Sequence, residues 1–138
     1  MIKYIVAIAL LGLFACSSEE KKETEESLKT EKPEDLIVRD GNHFTEYYPG
    51  KKVVKMEGYF DDEEQRHGIW KWHTESGITI SITEYVHGKR NGLSLVYFAN
   101  GRLNYRGDYK DDKPVGIWKT YSEKTGKLLT EKDYGTGE

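Results

Sequence analysis

The amino-acid sequence predicts an all-β fold: an elongated antiparallel meander of about four β-hairpin repeats, preceded by a signal peptide and a flexible tether. Three observations lead there. Glycines recur at Gly68, Gly92 and Gly116, 24 residues apart. Dipeptides suited to tight hairpins separate β-prone runs. The clearest run, Ile78 to Thr83, alternates isoleucine with hydroxyl residues, as a half-buried antiparallel strand does, and the body of the chain carries no helical periodicity.

The 138-residue chain opens with a single lysine, Lys3, ahead of an apolar run from Tyr4 to Phe14. That run has the length of a signal-peptide hydrophobic region rather than of a bilayer-spanning helix. Leu13-Phe14-Ala15-Cys16 then sets a small side chain before the only cysteine of the chain, with serines after it. A signal peptidase needs a small side chain before the cleaved bond, and the Cys16 thiol can take a diacylglycerol group. Residues 1–15 are therefore expected to be a lipoprotein signal peptide, with Cys16 acylated at the start of the mature chain. The alternative, a buried Cys16 ending a short core helix, suits poorly a lone cysteine between an apolar and a charged run. Each buried methylene of an acyl chain contributes about 0.8 kcal/mol, so several chains on one cysteine hold a protein firmly to the lipid bilayer. The expected location is the cell envelope. Ser17 after the cysteine favours the outer membrane, and Ser17 to Glu20 resembles surface-export signals of some bacterial lipoproteins.

Residues 16–36 are expected to be a solvated tether. Between Ser17 and Asp35 lie eight acids and four lysines, with almost no apolar surface to support a core. Beyond them, Leu36 to Glu138 holds sixteen of the 24 acids and sixteen of the 21 bases. A balanced body with no basic stripe points away from nucleic acid and from anionic lipid headgroups, and toward a protein or peptide partner. With Cys16 modified, no disulfide or thiolate metal site is open to residues 37–138, so packing alone must stabilise this repeat domain.

The repeat units run from glycine to glycine: Gly68 to Gly77, Gly92 to Gly101 and Gly116 to Gly126. Each first glycine precedes Ile69, Leu93 or Ile117, and in two units Trp70 or Trp118 follows. Gly41 to Gly50 is a divergent copy, read as a capping repeat. Each unit turns at Pro49-Gly50, Ser76-Gly77, Asn100-Gly101 or Thr125-Gly126, and closes on Tyr59, Tyr85, Tyr109 or Tyr134. Polar connections from Asp61, His87 and Asp111 lead into the next unit. One hairpin cannot bury enough apolar area to be stable alone, so neighbouring units must share a core. Trp70, Trp118, Ile69, Leu93, Ile117 and the closing tyrosines are its expected members. Alternation places Trp70 and Trp72 on one face with Lys71 opposite, so the two indoles are buried or exposed together, and burial is the usual fate of large aromatics.

The unit, with its repeat-defining Gly68, Trp70, Gly77, Gly92, Gly101, Gly116, Trp118 and Gly126, and with Tyr97, Asn100 and Tyr121, resembles the MORN-repeat variant, bacterial examples of which are often labelled YwqK-type antitoxins. The resemblance spans about Gly41 to Tyr134. Ser94 stands where the pattern has tryptophan, His73 where it has tyrosine, and one residue is inserted before Gly126. The resemblance implies a β-hairpin array used for binding; fold alone does not dictate activity.

Residues for chemistry are sparse. His43, His67, His73 and His87 show no close spacing that would pair two of them on one helix or strand face, so no metal site is expected. Asp61 to Glu64 and Asp111-Asp112 lack the alternating ligands and closing glutamate of a calcium loop. No nucleophile elbow or phosphate-cradling loop occurs, so no catalytic residue and no cofactor is expected. Trp72, Tyr97 and Tyr121 are the candidate binding residues, since Trp and Tyr dominate binding hot spots. Three roles fit this inventory: a membrane-tethered interaction module, an antitoxin or immunity lipoprotein, and a glycan-binding or structural envelope protein.

Overall fold

The computed structural model describes residues 32–137; the expected signal peptide, Cys16 and most of the tether lie outside them. Pro33–Leu36, at the end of the expected tether, forms a short 3-10 turn. Nine strands follow among the described residues: β1 (Ile37–Asp40), β2 (His43–Tyr47), β3 (Val54–Phe60), β4 (Arg66–His73), β5 (Thr79–Val86), β6 (Lys89–Tyr97), β7 (Leu103–Lys110), β8 (Lys113–Tyr121) and β9 (Leu128–Asp133). They form one sheet in chain order, each strand antiparallel to the one before. The four expected hairpins are β2–β3, β4–β5, β6–β7 and β8–β9. Edge strand β1 is an addition; its Gly41-Asn42 turn is a hairpin signal of the same kind, placed where the charged tether gives way to the body.

The repeat glycines Gly68, Gly92 and Gly116 mark a bulge that recurs in three of the four units. Between the pairs Glu57↔Lys71 and Tyr59↔His67, β3 spends two steps where β4 spends four. The same mismatch separates Thr83↔Ser94 from Tyr85↔Arg90, and Arg106↔Lys119 from Asp108↔Val115. Gly68, Gly92 and Gly116 absorb the extra length at φ of 69°, 109° and 62°, a region that a Cβ makes costly.

One row of side chains crosses the sheet and holds nearly all its buried residues. Phe44 faces Gly58, Trp70 faces Thr83, Thr83 faces Ser94, Ser94 faces Gly107, and Trp118 faces Lys132. The two gaps in that row are closed by indoles. Trp70 lies across Gly58 and Trp118 lies across Gly107, so closely that a Cβ on either glycine would overlap the ring. The Trp70 Nε1–H donates to the Tyr59 carbonyl at 2.9 Å, and the Trp118 Nε1–H to the Asp108 carbonyl at 3.2 Å. In each case the acceptor is the residue after the glycine, so the indole polar atom is satisfied as its ring is covered. Trp70 is completely buried, and Phe44, Thr83 and Ser94 are at most 7 % exposed.

Two departures in the middle unit compensate each other. Ser94 takes the tryptophan position, and its neighbour Thr83 takes the glycine position. The volume lost at one is partly restored at the other, and the two hydroxyls hydrogen-bond at 3.1 Å within the buried row.

The expected core is corrected here. Ile69 and Ile117 are each 48 % exposed, and Tyr59 and Tyr134 are 55 % and 42 % exposed. Successive strand residues point to opposite faces, so the isoleucine preceding a buried tryptophan cannot share its cover. Trp118, Leu93, Tyr85 and Tyr109 are half-buried. Trp70 and Trp72 do share a face, but only Trp70 is fully enclosed; Trp72 is half-buried.

Gly107→Ala is expected to cost about 2–3 kcal/mol in urea unfolding, an overpacking penalty that largely disappears in a Trp118→Ala background; equal costs in both backgrounds would disprove the indole–glycine contact. Ser94→Trp alone is expected to destabilise, and Ser94→Trp with Thr83→Gly to recover at least about half of that loss, as read by thermal melts.

Candidate functional site

Among the described residues the sheet is a single layer with both faces open, and the faces differ in chemistry. The face carrying the buried row is aromatic. Register puts Phe44, Phe60, Trp70, Trp72, Tyr85, Tyr105, Tyr109 and Trp118 on it, together with Arg39, Arg66 and Arg90.

These rings form two clusters. In the first, Trp70 lies 5.0 Å from Phe60, 5.7 Å from Phe44 and 6.1 Å from Trp72, and Trp72 lies 6.4 Å from Tyr85. In the second, Trp118 lies 4.9 Å from Tyr109, 5.7 Å from Tyr105 and 6.0 Å from Tyr134. The Thr83–Ser94 seam parts them.

Arginine guanidinium groups cover both clusters. Arg39 sits 4.6 Å over Phe60, Arg66 sits 4.8 Å over Trp70 and 5.6 Å over Tyr85, and Arg90 sits 4.0 Å over Tyr109. Cation–π contact of this kind holds a charged group flat against an apolar surface while its edge stays free to donate. Arg66 and Arg90 both stand two residues before a repeat glycine, a spacing visible in the sequence that the glycine and tryptophan pattern overshadowed. Pro114 takes that position in the last unit.

The ionisable groups at the repeat junctions are tied down. The Arg90 Nε–H donates to Asp112 Oδ1 at 2.8 Å, and the Arg90 backbone N–H donates to the same oxygen at 3.1 Å. These hydrogen bonds hold the Asp112 carboxyl below its ordinary range and raise the Arg90 guanidinium. Burial pushes the Tyr109 phenol up. Backbone amides, that of Gln65 first, hold Asp61 below its ordinary range, with the His87 contact adding to the effect.

The opposite face is charged and aliphatic. Lys71 pairs with Glu57 at 3.3 Å and Lys119 with Glu131 at 3.1 Å, flanking Ile82 and Leu95. A shallow depression of about 300 Å³ on this face is lined by His43, Glu57, Gly58, Tyr59, Ile69 and Lys71.

Of the candidate binding residues, Trp72 joins the first aromatic cluster. Tyr97 and Tyr121 close β6 and β8 and are half-buried; each is separated from the next candidate by an intervening strand, so the three do not converge on one point. The sequence also concealed a grouping. His67 and His87, 20 residues apart, come together with Asp61 because the β3–β4 loop adjoins the β5–β6 turn, and one donor atom from each lies within 4.8 Å of the others.

No family model matches the chain. No curated protein matches it. Among solved structures, it is similar to a mutant of S. aureus TarM crystallised with fondaparinux, alpha-GlcNAc-glycerol and UDP, at 9% identity and a TM-score of 0.45 over 84% of this chain. The chain spans 22% of the length of that protein.

A carboxyl whose pKa is lowered by folding contributes stability that is present above its unfolded value, here 3.8, and is lost as pH falls through the folded value. Asp112→Asn should therefore flatten the acid limb of the stability curve below about pH 4 and leave its slope near pH 7 unchanged, a difference that thermal melts across pH 2–7 will register.

Proposed function

We propose that this chain is a membrane-anchored lipoprotein whose MORN-like repeat domain is a non-catalytic interaction module for a protein or peptide, with the aromatic–arginine face as its contact surface. The observation that carries this reading is the pair of ring clusters, each covered by arginine, on a sheet face that no other described residues cover. Trp, Tyr and Arg are the residue types in which binding energy concentrates: Trp and Tyr bring large area with few rotors, and Arg brings a planar fork of donors that can lie on an apolar surface. Paired charges on the opposite face, by contrast, are already satisfied and contribute little to association.

The tether reading gives the module reach. The residues from Cys16 to Lys32, ahead of the 3-10 turn, span at most about 60 Å when fully extended, so an acylated chain can meet partners well above the bilayer surface. The resemblance to the MORN-repeat variant agrees with a binding array, and the balanced charge agrees with a protein or peptide ligand rather than a polyanion.

The test is affinity capture from the envelope with the intact acylated protein as bait. A tether-only bait and an Arg66→Ala/Trp72→Ala bait, checked by melting to be folded, serve as controls. A stoichiometric protein partner is expected on the intact bait and absent from both controls. Capture of the same protein by the tether-only bait, or undiminished capture by the double variant, defeats the proposal, and polysaccharide alone on the intact bait replaces it with a glycan-binding role.

A further inference from the structure

We propose that Asp61, His67 and His87 form a binding site for a divalent transition-metal ion of the zinc class, at the junction between the β3–β4 loop and the β5–β6 turn. Two imidazoles and one carboxylate with open positions around the ion are a donor set suited to zinc and its first-row neighbours. One donor from each side chain already lies within 4.8 Å of the others. Zinc with bonds of about 2.0–2.1 Å places tetrahedral donors about 3.4 Å apart. The remaining gap is within reach of side-chain rotation, since both imidazoles are exposed, His87 by 66 % of its side chain.

The carboxylate is held ready. Asp61 Oδ1 accepts the backbone N–H groups of Glu63 at 3.0 Å and Gln65 at 2.8 Å, which leaves Oδ2 directed at His87 Nδ1, 2.8 Å away. The His67 and His87 rings lie 5.6 Å apart, centroid to centroid. The start of β4 and the β5–β6 turn are fastened by their backbones, with the Gly88 N–H donating to the Arg66 carbonyl at 2.9 Å. Side chains locked by neighbouring hydrogen bonds are what give a metal site its affinity.

The next junction along the sheet is an internal control. There the Asp112 N–H donates to the Arg90 carbonyl at 3.0 Å, the same backbone fastening. At that junction, Val86, Asn91 and Asp111 stand 24 or 25 residues after Asp61, His67 and His87, and the side-chain contact is the Arg90–Asp112 ion pair. The junction is thus closed without imidazoles. The imidazoles of the first junction, with Asp61, bring three metal donors to one place.

The test uses the full-length chain in detergent, carrying Cys16→Ala so that no thiol competes, stripped with chelator and titrated with Zn²⁺ against a chromophoric competitor. One ion per chain is expected. His67→Ala and His87→Ala should each weaken binding by at least about tenfold, and His73→Ala should leave it unchanged. Saturating Zn²⁺ should raise the Tm of the parent chain and not of the His67→Ala/His87→Ala double variant. His67 is exposed, so its loss does not threaten folding. The site is overturned if the double variant binds Zn²⁺ as tightly as the parent, or if His73→Ala abolishes binding.

Discussion

A single-layer sheet has no facing layer to cover an apolar side chain, and this constraint governs the rest of the molecule. Cover has to come from within the same surface. The solution is an indole laid flat across a glycine of the preceding strand, Trp70 on Gly58 and Trp118 on Gly107. Burying a tryptophan removes about 200 Å² from water, and truncating one typically costs about 3–5 kcal/mol. For the ring to lie down, the neighbouring strand must present no side chain there, and the bulge at the repeat glycine lets the tryptophan strand run out of step with its neighbour. Glycine at the contact, glycine at the bulge and tryptophan two residues later are therefore one device, repeated. Where the tryptophan is replaced, at Ser94, the contact glycine is replaced as well, by Thr83.

Strand order and turn positions were legible in the sequence because hairpin dipeptides, a 24-residue period and alternation are local signals. What escaped was contact between chemically silent positions. Gly58 and Gly107 sit in mid-strand, away from any turn, and nothing local marks them as the floor beneath an indole. Ile69 and Ile117 were misjudged because they are apolar and adjacent to tryptophan, although period-two geometry puts adjacent residues on opposite faces. The Asp61–His67–His87 grouping was invisible for another reason: residue spacing along a strand reveals ligands on one element, whereas this group is assembled from the β3–β4 loop, the start of β4 and the β5–β6 turn.

Under the proposed interaction role, the Thr83–Ser94 seam bears on recognition as well as on packing. It divides the aromatic face into two patches centred on β4 and β8, four strand spacings or about 19 Å apart. A ligand engaging both must be of that extent, which suits an extended peptide or a protein surface better than a small molecule. In the β4 patch, Arg66 stacked on the rings offers donors fixed in plane, so the ligand groups best matched there are carbonyls and carboxylates at the edge of an apolar contact.

Because every strand pairs only with its neighbours in the chain, no part of the sheet waits on a distant residue to form. Most β proteins fold slowly since their pairings enclose long loops, whose closure entropy is lost before contacts compensate for it. Here the loops are short turns, and each new strand docks on an edge already built. A chain delivered N-terminus first, and threaded residue by residue, can complete the sheet in the order in which it emerges. The meander is in that sense a fold matched to vectorial delivery, with each hairpin serving as the template for the one behind it.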